Sequence, residues 1–485
     1  MRIKNVIAAL SLFIKYLATV FVVPLIVAVY YQDFKSLFAF AVTVMVMFLF
    51  GILLNTNDNR VDLVDDFKKQ EALATVVLFW VSSSLIFAIP YLFYGFSPIN
   101  SLFEAVSGIT TTGATILTDF SLYPKSLFFW RAYSQWIGAM GVIILVIAVL
   151  PQFAIAGRQM FAAESPGPED GKFTPRIKST ASLLGKLYIF LTIVLIILLK
   201  CAGMPLFDAF CNAFSTIACA GFSPNQASII GYDKSVFVWI IAIFMFVSGT
   251  GFALTYRLIQ KRNLSLLSKN DEFKVYFGLT VIFSILIAYI LFVQHEYTIG
   301  KAIEEGTFQA VSIITTTGFA TVDYTNWPHI ARLSLFILFF TGACAGSTSG
   351  GLKIIRVLLV LKYIRREISK ILHPSAVIPI RVNDIPVSND IISQTVSFVI
   401  FYFMIFVITA FAVTLIESNY TIGISGAIAT LGNVGPAFGI IGPMGNYDSL
   451  SVATKIIFIF NMLIGRLELI PFLAMFNKDF YNFKR

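Results

Sequence analysis

Four short segments recur in one register along this chain, and they constrain its architecture more than any other feature. They are Ile109-Thr110-Thr111-Thr112-Gly113-Ala114, Ile217-Ala218-Cys219-Ala220-Gly221-Phe222, Ile314-Thr315-Thr316-Thr317-Gly318-Phe319 and Leu431-Gly432-Asn433-Val434-Gly435-Pro436. Each places a glycine four residues after an aliphatic one, and Gly113, Gly221, Gly318 and Gly435 follow one another at 108, 97 and 117 residues. The chain thus reads as one unit used four times. A further glycine lies in the next apolar run of each unit: Gly141, Gly249 and Gly346 are 28 residues on, and Gly465 is 30 residues on.

The solvent around these units is lipid. Hydrophobic residues make up 58% of the chain and charged ones 13%, a surface that a water-soluble domain cannot carry. Each unit reads as a long apolar helix, a short amphipathic stretch, the glycine segment and another long apolar helix. The short stretches run from Pro98 to Ile109, Pro205 to Ile217, Gly300 to Ile314 and Thr421 to Leu431. A helix of about 12 residues reaches roughly 18 Å, partway across a core of about 30 Å. These stretches must enter and turn back, and such re-entrant backbone persists only where protein encloses it or it lines water. The expected fold is an all-α integral membrane protein with four tandem helix, pore-loop, helix repeats around a central pore and an N-terminal helix pair, about ten transmembrane helices in all. The expected boundaries are 1–65 for the N-terminal pair, then repeats at 66–165, 166–264, 265–385, with a broken inner helix, and 386–485.

The formal charge of +9 is placed as topology rather than as a nucleic-acid surface. Basic residues gather at Arg158, Lys172, Arg176, Lys178 and Lys186, at Arg257, Lys261, Arg262, Lys269 and Lys274, and at Lys362, Arg365, Arg366, Lys370 and Arg381. By the positive-inside rule these loops and the N-terminus are cytoplasmic. Lys15 interrupts the first apolar run, which continues to about Tyr30 without a cleavage pattern, so a retained helix is expected rather than a signal peptide. Cys201, Cys211, Cys219 and Cys344 lack metal-site spacing, and His295, His329 and His373 form no cluster with acids that would suit an enzyme.

Four enclosed loops of this kind suit a dehydrated monovalent cation. Backbone carbonyls and threonine hydroxyls replace its water without a fixed charge that would trap it, and glycine lets successive carbonyls turn inward. The candidate filter residues are Thr110, Thr111, Thr112 and Gly113; Ile217, Ala218, Cys219, Ala220 and Gly221; Thr315, Thr316, Thr317 and Gly318; and Gly432, Asn433, Val434 and Gly435. Asp119, Asp233, Asp323 and Asp448 follow these segments, either as cation-concentrating mouths or as ordinary loop acids.

At these residues the chain resembles the membrane subunit of the Trk/Ktr/HKT superfamily of potassium transporters over essentially its full length. The matching residues are Thr110 to Ala114, Ala220 to Ser223, Thr315 to Phe319 and Gly432 to Ala437. The extra apolar pair, about Val6 to Tyr30 and Ser36 to Leu54, resembles the Trk-type branch. The resemblance implies a multi-pass protein of the bacterial inner (plasma) membrane, surrounded by membrane lipids, that forms a homodimer. It further implies cytoplasmic nucleotide-binding regulatory subunits of the TrkA type, with no nucleic acid and no covalently bound cofactor. A serine at the first filter glycine goes with sodium permeation in this family; Gly113 therefore implies K+ as the transported ion, with rubidium tolerated. Ala218 and Cys219 depart from the threonine-rich form, which puts a fourfold set of side-chain ligands in doubt.

Two features below the filter are gating candidates. From Thr341 to Gly351 a polar run interrupts what would be a membrane helix, with Gly342, Gly346, Ser347, Thr348, Ser349, Gly350 and Gly351 in it. Each glycine there costs about 1 kcal/mol relative to alanine in a helix, so a break is expected; a tight interhelical seam is the other reading. The resemblance implies an intramembrane gating loop. Arg466 falls in the last inner helix, in register with Val142, Thr250 and Ser347, and reads either as a brake on the ion or as half of a pair with Glu468. The alternative function is a secondary K+ symporter, coupled to H+ or Na+ with alternating access.

Overall fold

The computed structural model describes residues 3–54, 69–148, 173–294 and 297–467. The N-terminal unit is a kinked span, Ile3–Val20 and Val22–Tyr30, followed by Phe34–Leu53. Asp33 starts the second helix by accepting the Ser36 amide at 3.1 Å, and the Ser11 hydroxyl ties the two together at the Gly51 carbonyl, 2.9 Å away. The pair packs on the first repeat through Phe21, whose ring centroid lies 4.6 Å from that of Trp130.

Each repeat then supplies an outer, a pore and an inner helix. The outer helices are Lys69–Leu92, Phe173–Cys201, Asp271–Gln294 and Asn389–Glu417, and the pore helices are Pro98–Ile109, Leu206–Ala218, Ile299–Ile314 and Tyr420–Leu431. The outer helices turn large apolar side chains such as Phe277, Ile285, Val407 and Phe411 away from the protein, a surface that lipid satisfies. The pore helices are buried toward their C-terminal ends, while Leu206, Ile299 and Tyr420 at their starts are exposed. Serine, proline and asparagine chemistry starts the first and last: Ser97 accepts the Asn100 amide with Pro98 in the first turn, and Asn419 accepts the amides of Thr421 and Ile422.

The inner helices differ from one another. The first, Lys125–Ala148, is continuous. The second was expected to be continuous as well, but Ser235–Gly249 and Phe252–Lys261 meet at 101°. Gly251, at φ 92°, makes the corner, and the run Ser248-Gly249-Thr250-Gly251 is too poor a helix former to resist it. The third stops after His329–Phe339 and resumes as Ile354–Leu372, leaving residues 340–353 outside helix, as the polar run led us to expect. The two interruptions bind each other: Cys344 donates its amide to Gly249 at 3.0 Å and Phe252 to Gly346 at 3.1 Å. Irregular backbone at this depth is thereby paired within the protein. The fourth inner helix is Val452–Arg466.

Six helices among the described residues have the length and apolarity to cross a membrane, and a seventh if the bent pair is one span. That is fewer than the expected ten or so, since inner segments such as His329–Phe339, 11 residues long, are too short to count as full spans on their own. The inner-helix glycine register also changes. A Cβ on Gly138 would lie 1.9 Å from the Ile109 carbonyl and one on Gly465 2.2 Å from the Leu431 carbonyl, whereas Gly141 has open space beside it. Gly138, not Gly141, is thus the counterpart of Gly465, and Arg466 corresponds to Ala139 rather than Val142.

Candidate ion pathway

The four pore helices run out into one backbone pattern. Two residues before each glycine the chain is left-handed, at Thr111 (φ 56°), Cys219 (52°), Thr316 (56°) and Asn433 (53°). Gly113, Gly221, Gly318 and Gly435 are left-handed too, with φ of 84°, 79°, 78° and 96°. The residue before each glycine donates its amide back to its pore helix: Thr112 to Ser107 at 2.9 Å, Ala220 to Ser215 at 3.0 Å, Thr317 to Ser312 at 2.8 Å and Val434 to Ala429 at 2.8 Å. Left-handed backbone costs a non-glycine residue roughly 1–2 kcal/mol, so its repetition at four unlike side chains marks a conformation that the surroundings impose.

These segments close on one another. A Cβ on Gly113 would stand 2.3 Å from the Ala220 carbonyl oxygen, one on Gly221 2.1 Å from that of Thr317, one on Gly318 2.1 Å from that of Val434 and one on Gly435 2.4 Å from that of Thr112. Each glycine therefore abuts the carbonyl just before the glycine of the next repeat, and the fourth returns to the first. The result is a ring of carbonyls about one axis, at the C-terminal, negative ends of four helix dipoles.

The ring is braced differently in each repeat. The hydroxyls of Thr110 and Thr112 bond at 2.7 Å and those of Thr315 and Thr317 at 2.8 Å. In the fourth repeat Asn433 donates to the Thr112 hydroxyl at 2.9 Å, and the Tyr447 hydroxyl to the Gly435 carbonyl at 2.6 Å. The second, with Ala218 and Ala220 in the threonine places, is held by Gln135 from the first repeat. One turn away, Arg131 forms a buried pair with Glu104 at 2.7 Å, and Glu104 accepts the Ile116 amide at 2.9 Å just past the first segment.

Above the ring is a cup lined by Thr115, Arg131, Phe222, Asn225, Pro436 and Tyr447, among others, with Gly113, Gly221 and Gly318 at its floor. The four acids have mixed roles around it. Asp119 accepts the Ser121 amide at 2.9 Å and Asp323 the Thr325 amide at 3.1 Å, so both shape turns. The Ser121 hydroxyl, then its amide, hold exposed Asp119 below its ordinary value. Asp448 receives Asn100 at 3.0 Å, and Asp233 occupies a left-handed turn position.

Below the ring the loop 340–353 touches three repeats. The Gly350 amide donates to the Thr316 hydroxyl at 2.7 Å, the Thr348 hydroxyl to the Ile217 carbonyl at 2.9 Å, and a Cβ on Gly350 would lie 2.6 Å from the Gly432 carbonyl. Gly342 closes the base of the loop, its amide on the Leu352 carbonyl at 2.7 Å, while Gly346 and Gly351 take left-handed turns and the Ser347 and Ser349 hydroxyls bond at 2.7 Å. Arg466, 7% exposed, donates Nη1 to the Thr348 carbonyl at 2.9 Å. An intramembrane arginine costs about 2.5–3.5 kcal/mol on insertion scales, which this contact partly offsets. Glu468, its other expected partner, lies outside the described residues.

Sequence reasoning passed over four positions. Glu272 accepts the Ala345 amide at 2.7 Å and the Ile355 amide at 3.1 Å, fastening the loop and the helix that follows it. Its only sequence signal is an acid at a helix start. Gln135 and Arg131 were visible as two polar residues four apart in an apolar helix, which share a face and in a membrane mark function. Gly138 carried no signal apart from its neighbour Gly141.

The TrkH family of cation transport proteins matches residues 36–482. The Trk system potassium uptake protein TrkH of Salmonella typhimurium is 34% identical over 466 residues, 95% of each chain. That of Halomonas elongata is 32% identical over 495 residues, 99% of this chain and 100% of the relative. The crystal structure of the potassium transporter TrkH from Vibrio parahaemolyticus superposes with a TM-score of 0.90 at 29% identity, covering 99% of this chain and all of that one. With fold and sequence in agreement along its length, the chain belongs to the TrkH family of cation transport proteins, multi-pass membrane proteins that are not enzymes.

Proposed function

We propose that this protein takes up potassium across the bacterial inner membrane through a gated, channel-like path whose selective element is the closed ring of four glycine segments. The cyclic contact of each glycine with the next repeat's carbonyl carries the reading. A ring of backbone oxygens replaces the hydration of K+ without a trapping charge, and names of relatives such as the Salmonella typhimurium potassium uptake protein support the ion. Threonine hydroxyls at 110, 112, 315 and 317 are occupied with one another or with the pore helices, which favours carbonyls as the ligands.

Residues 340–353 act as the gate in this reading, lying against the inner side of the ring with Arg466 as the latch. Opening withdraws the loop from Thr316 and Ile217, and Glu272 is the fixed point about which it moves. The chain works as a homodimer with its N-terminus in the cytoplasm, beside nucleotide-binding regulatory subunits, as the family likeness implies. Lys362 and Arg366, with Arg365 between them, are the basic residues that would meet such a subunit; the first two form partly exposed ion pairs, with Asp271 at 3.0 Å and Glu367 at 3.0 Å, of the kind that contributes little and leaves them available. The test is tracer flux in proteoliposomes. Potassium moving down its gradient without coupled protons or sodium supports the channel-like path; stoichiometric coupling supports the symport alternative.

A further inference from the structure

The second filter segment lacks the internal brace of its neighbours. Where repeats one and three place bonded threonines, Thr110 with Thr112 and Thr315 with Thr317, repeat two has Ala218 and Ala220. No hydroxyl on that segment can hold its strained turn, in which Cys219 is left-handed at φ 52°.

Gln135 occupies that role from outside. It stands on the first repeat's inner helix, fully buried, as are Ser215 and Ala220. Its amide nitrogen donates to the Ala220 carbonyl at 2.7 Å. Its amide oxygen accepts the Phe222 backbone N–H at 3.1 Å and the Ser215 hydroxyl at 2.8 Å. One carboxamide therefore grips the backbone on both sides of Gly221, and the pore helix beneath fixes the carboxamide. A carboxamide suits this place because it offers a donor and an acceptor at once.

The gripped oxygen belongs to the ring: the Ala220 carbonyl is the one 2.3 Å from a Cβ on Gly113. A carbonyl oxygen has two lone pairs. Gln135 takes one and sets the direction of the other, so it orients this ligand while drawing on its electron density.

We propose that Gln135 is a positioning residue for ion selectivity: it aims the Ala220 carbonyl into the ring and thereby sets how strongly the second segment discriminates potassium from sodium. The proposal rests on the ring being the filter. Loss of the grip leaves the Ala220 carbonyl free to rotate, and a ring with one loose ligand adapts to a smaller ion.

The experiment measures potassium and sodium tracer uptake for purified full-length protein in liposomes, comparing wild type with Gln135→Met, Ser215→Ala and Gly113→Ser. Gln135→Met keeps length and apolar fit but removes donor and acceptor, and its potassium-to-sodium ratio should fall roughly fivefold, the scale of one lost hydrogen bond. Ser215→Ala removes only the hydroxyl behind the carboxamide and should lower the ratio about twofold while favouring the helix. A role confined to stability lowers total uptake and thermal midpoint but leaves the ratio intact in the protein that remains folded. Should Gln135→Met fail to assemble, Ser215→Ala decides, and a wild-type ratio there overturns the proposal. A changed ratio in Gly113→Ser with wild-type ratios in the other two refutes the brace but leaves the filter standing. Wild-type ratios in all three refute both.

Discussion

The ring of glycine segments and the inner helices beneath it come from the same four repeats, yet they obey different rules. In the ring, unlike residues adopt one conformation: Thr111, Cys219, Thr316 and Asn433 share a left-handed turn. Beneath it the inner helices diverge, with one continuous, one bent by 101°, one interrupted at 340–353 and one ending in Arg466. On the proposed function the difference separates two physical demands. An ion held by backbone oxygens needs those oxygens equivalent, whatever side chains sit behind them. Obstruction of a single path needs one repeat to depart from the others, and four identical inner helices leave no place for a loop of 14 residues such as 340–353.

The largest test breaks the equivalence of the ring. Gly221→Ala puts a Cβ 2.1 Å from the Thr317 carbonyl at φ 79°, and overpacking by about 1–3 kcal/mol should cut potassium uptake by about tenfold or more in proteoliposomes. Uptake near wild type would mean that the segment does not touch the ion path. Next in size is the asymmetric part: removing Ser347 to Gly350 should raise basal potassium flux severalfold while leaving the potassium-to-sodium ratio in place. Unchanged flux in well-folded protein would return the loop to a packing seam.

Arg466→Ala removes the bond to the Thr348 carbonyl, and hydrogen bonds to charged groups are worth about 1.5–3 kcal/mol. Part of that should appear as a severalfold rise in flux, with Arg466→Lys closer to wild type because it keeps a charged donor. A fall in flux at normal particle size would assign Arg466 a structural role. The smallest effect sharpens the register: Gly138→Ala, facing the Ile109 carbonyl, should lower the thermal midpoint by several degrees, while Gly141→Ala, in open space, should leave it unchanged. The reverse ranking would restore Gly141 as the counterpart of Gly465.

Much of this was legible in the sequence, and the reason is periodicity. Glycine at a fixed distance from an aliphatic residue located all four ring segments, and the first pore helix fell at Pro98–Ile109 as read. Four glycines in eleven residues announced the break in the third inner helix. The bend at Gly251 was missed because only two glycines mark it and the flanking run is apolar; its cause is tertiary, since the backbone of the other interruption comes so close that a Cβ on Gly251 would lie 2.8 Å from the Ala345 carbonyl oxygen. Glu272 and Gln135 were missed for a related reason. Each acts on backbone groups 73 or more residues away, and a single sequence carries no sign of which amide a carboxylate or carboxamide will meet.

The most direct test of the ring as selector is the potassium-to-sodium flux ratio of Gly113→Ser against wild type in liposomes. A side chain there must displace the Ala220 carbonyl, 2.3 Å from its Cβ, and adds a hydroxyl to the ring. Wild type should pass potassium well ahead of sodium, and Gly113→Ser should admit sodium while still conducting. A variant that conducts normally and keeps the wild-type ratio would contradict the assignment of this ring as the site where the ion is chosen.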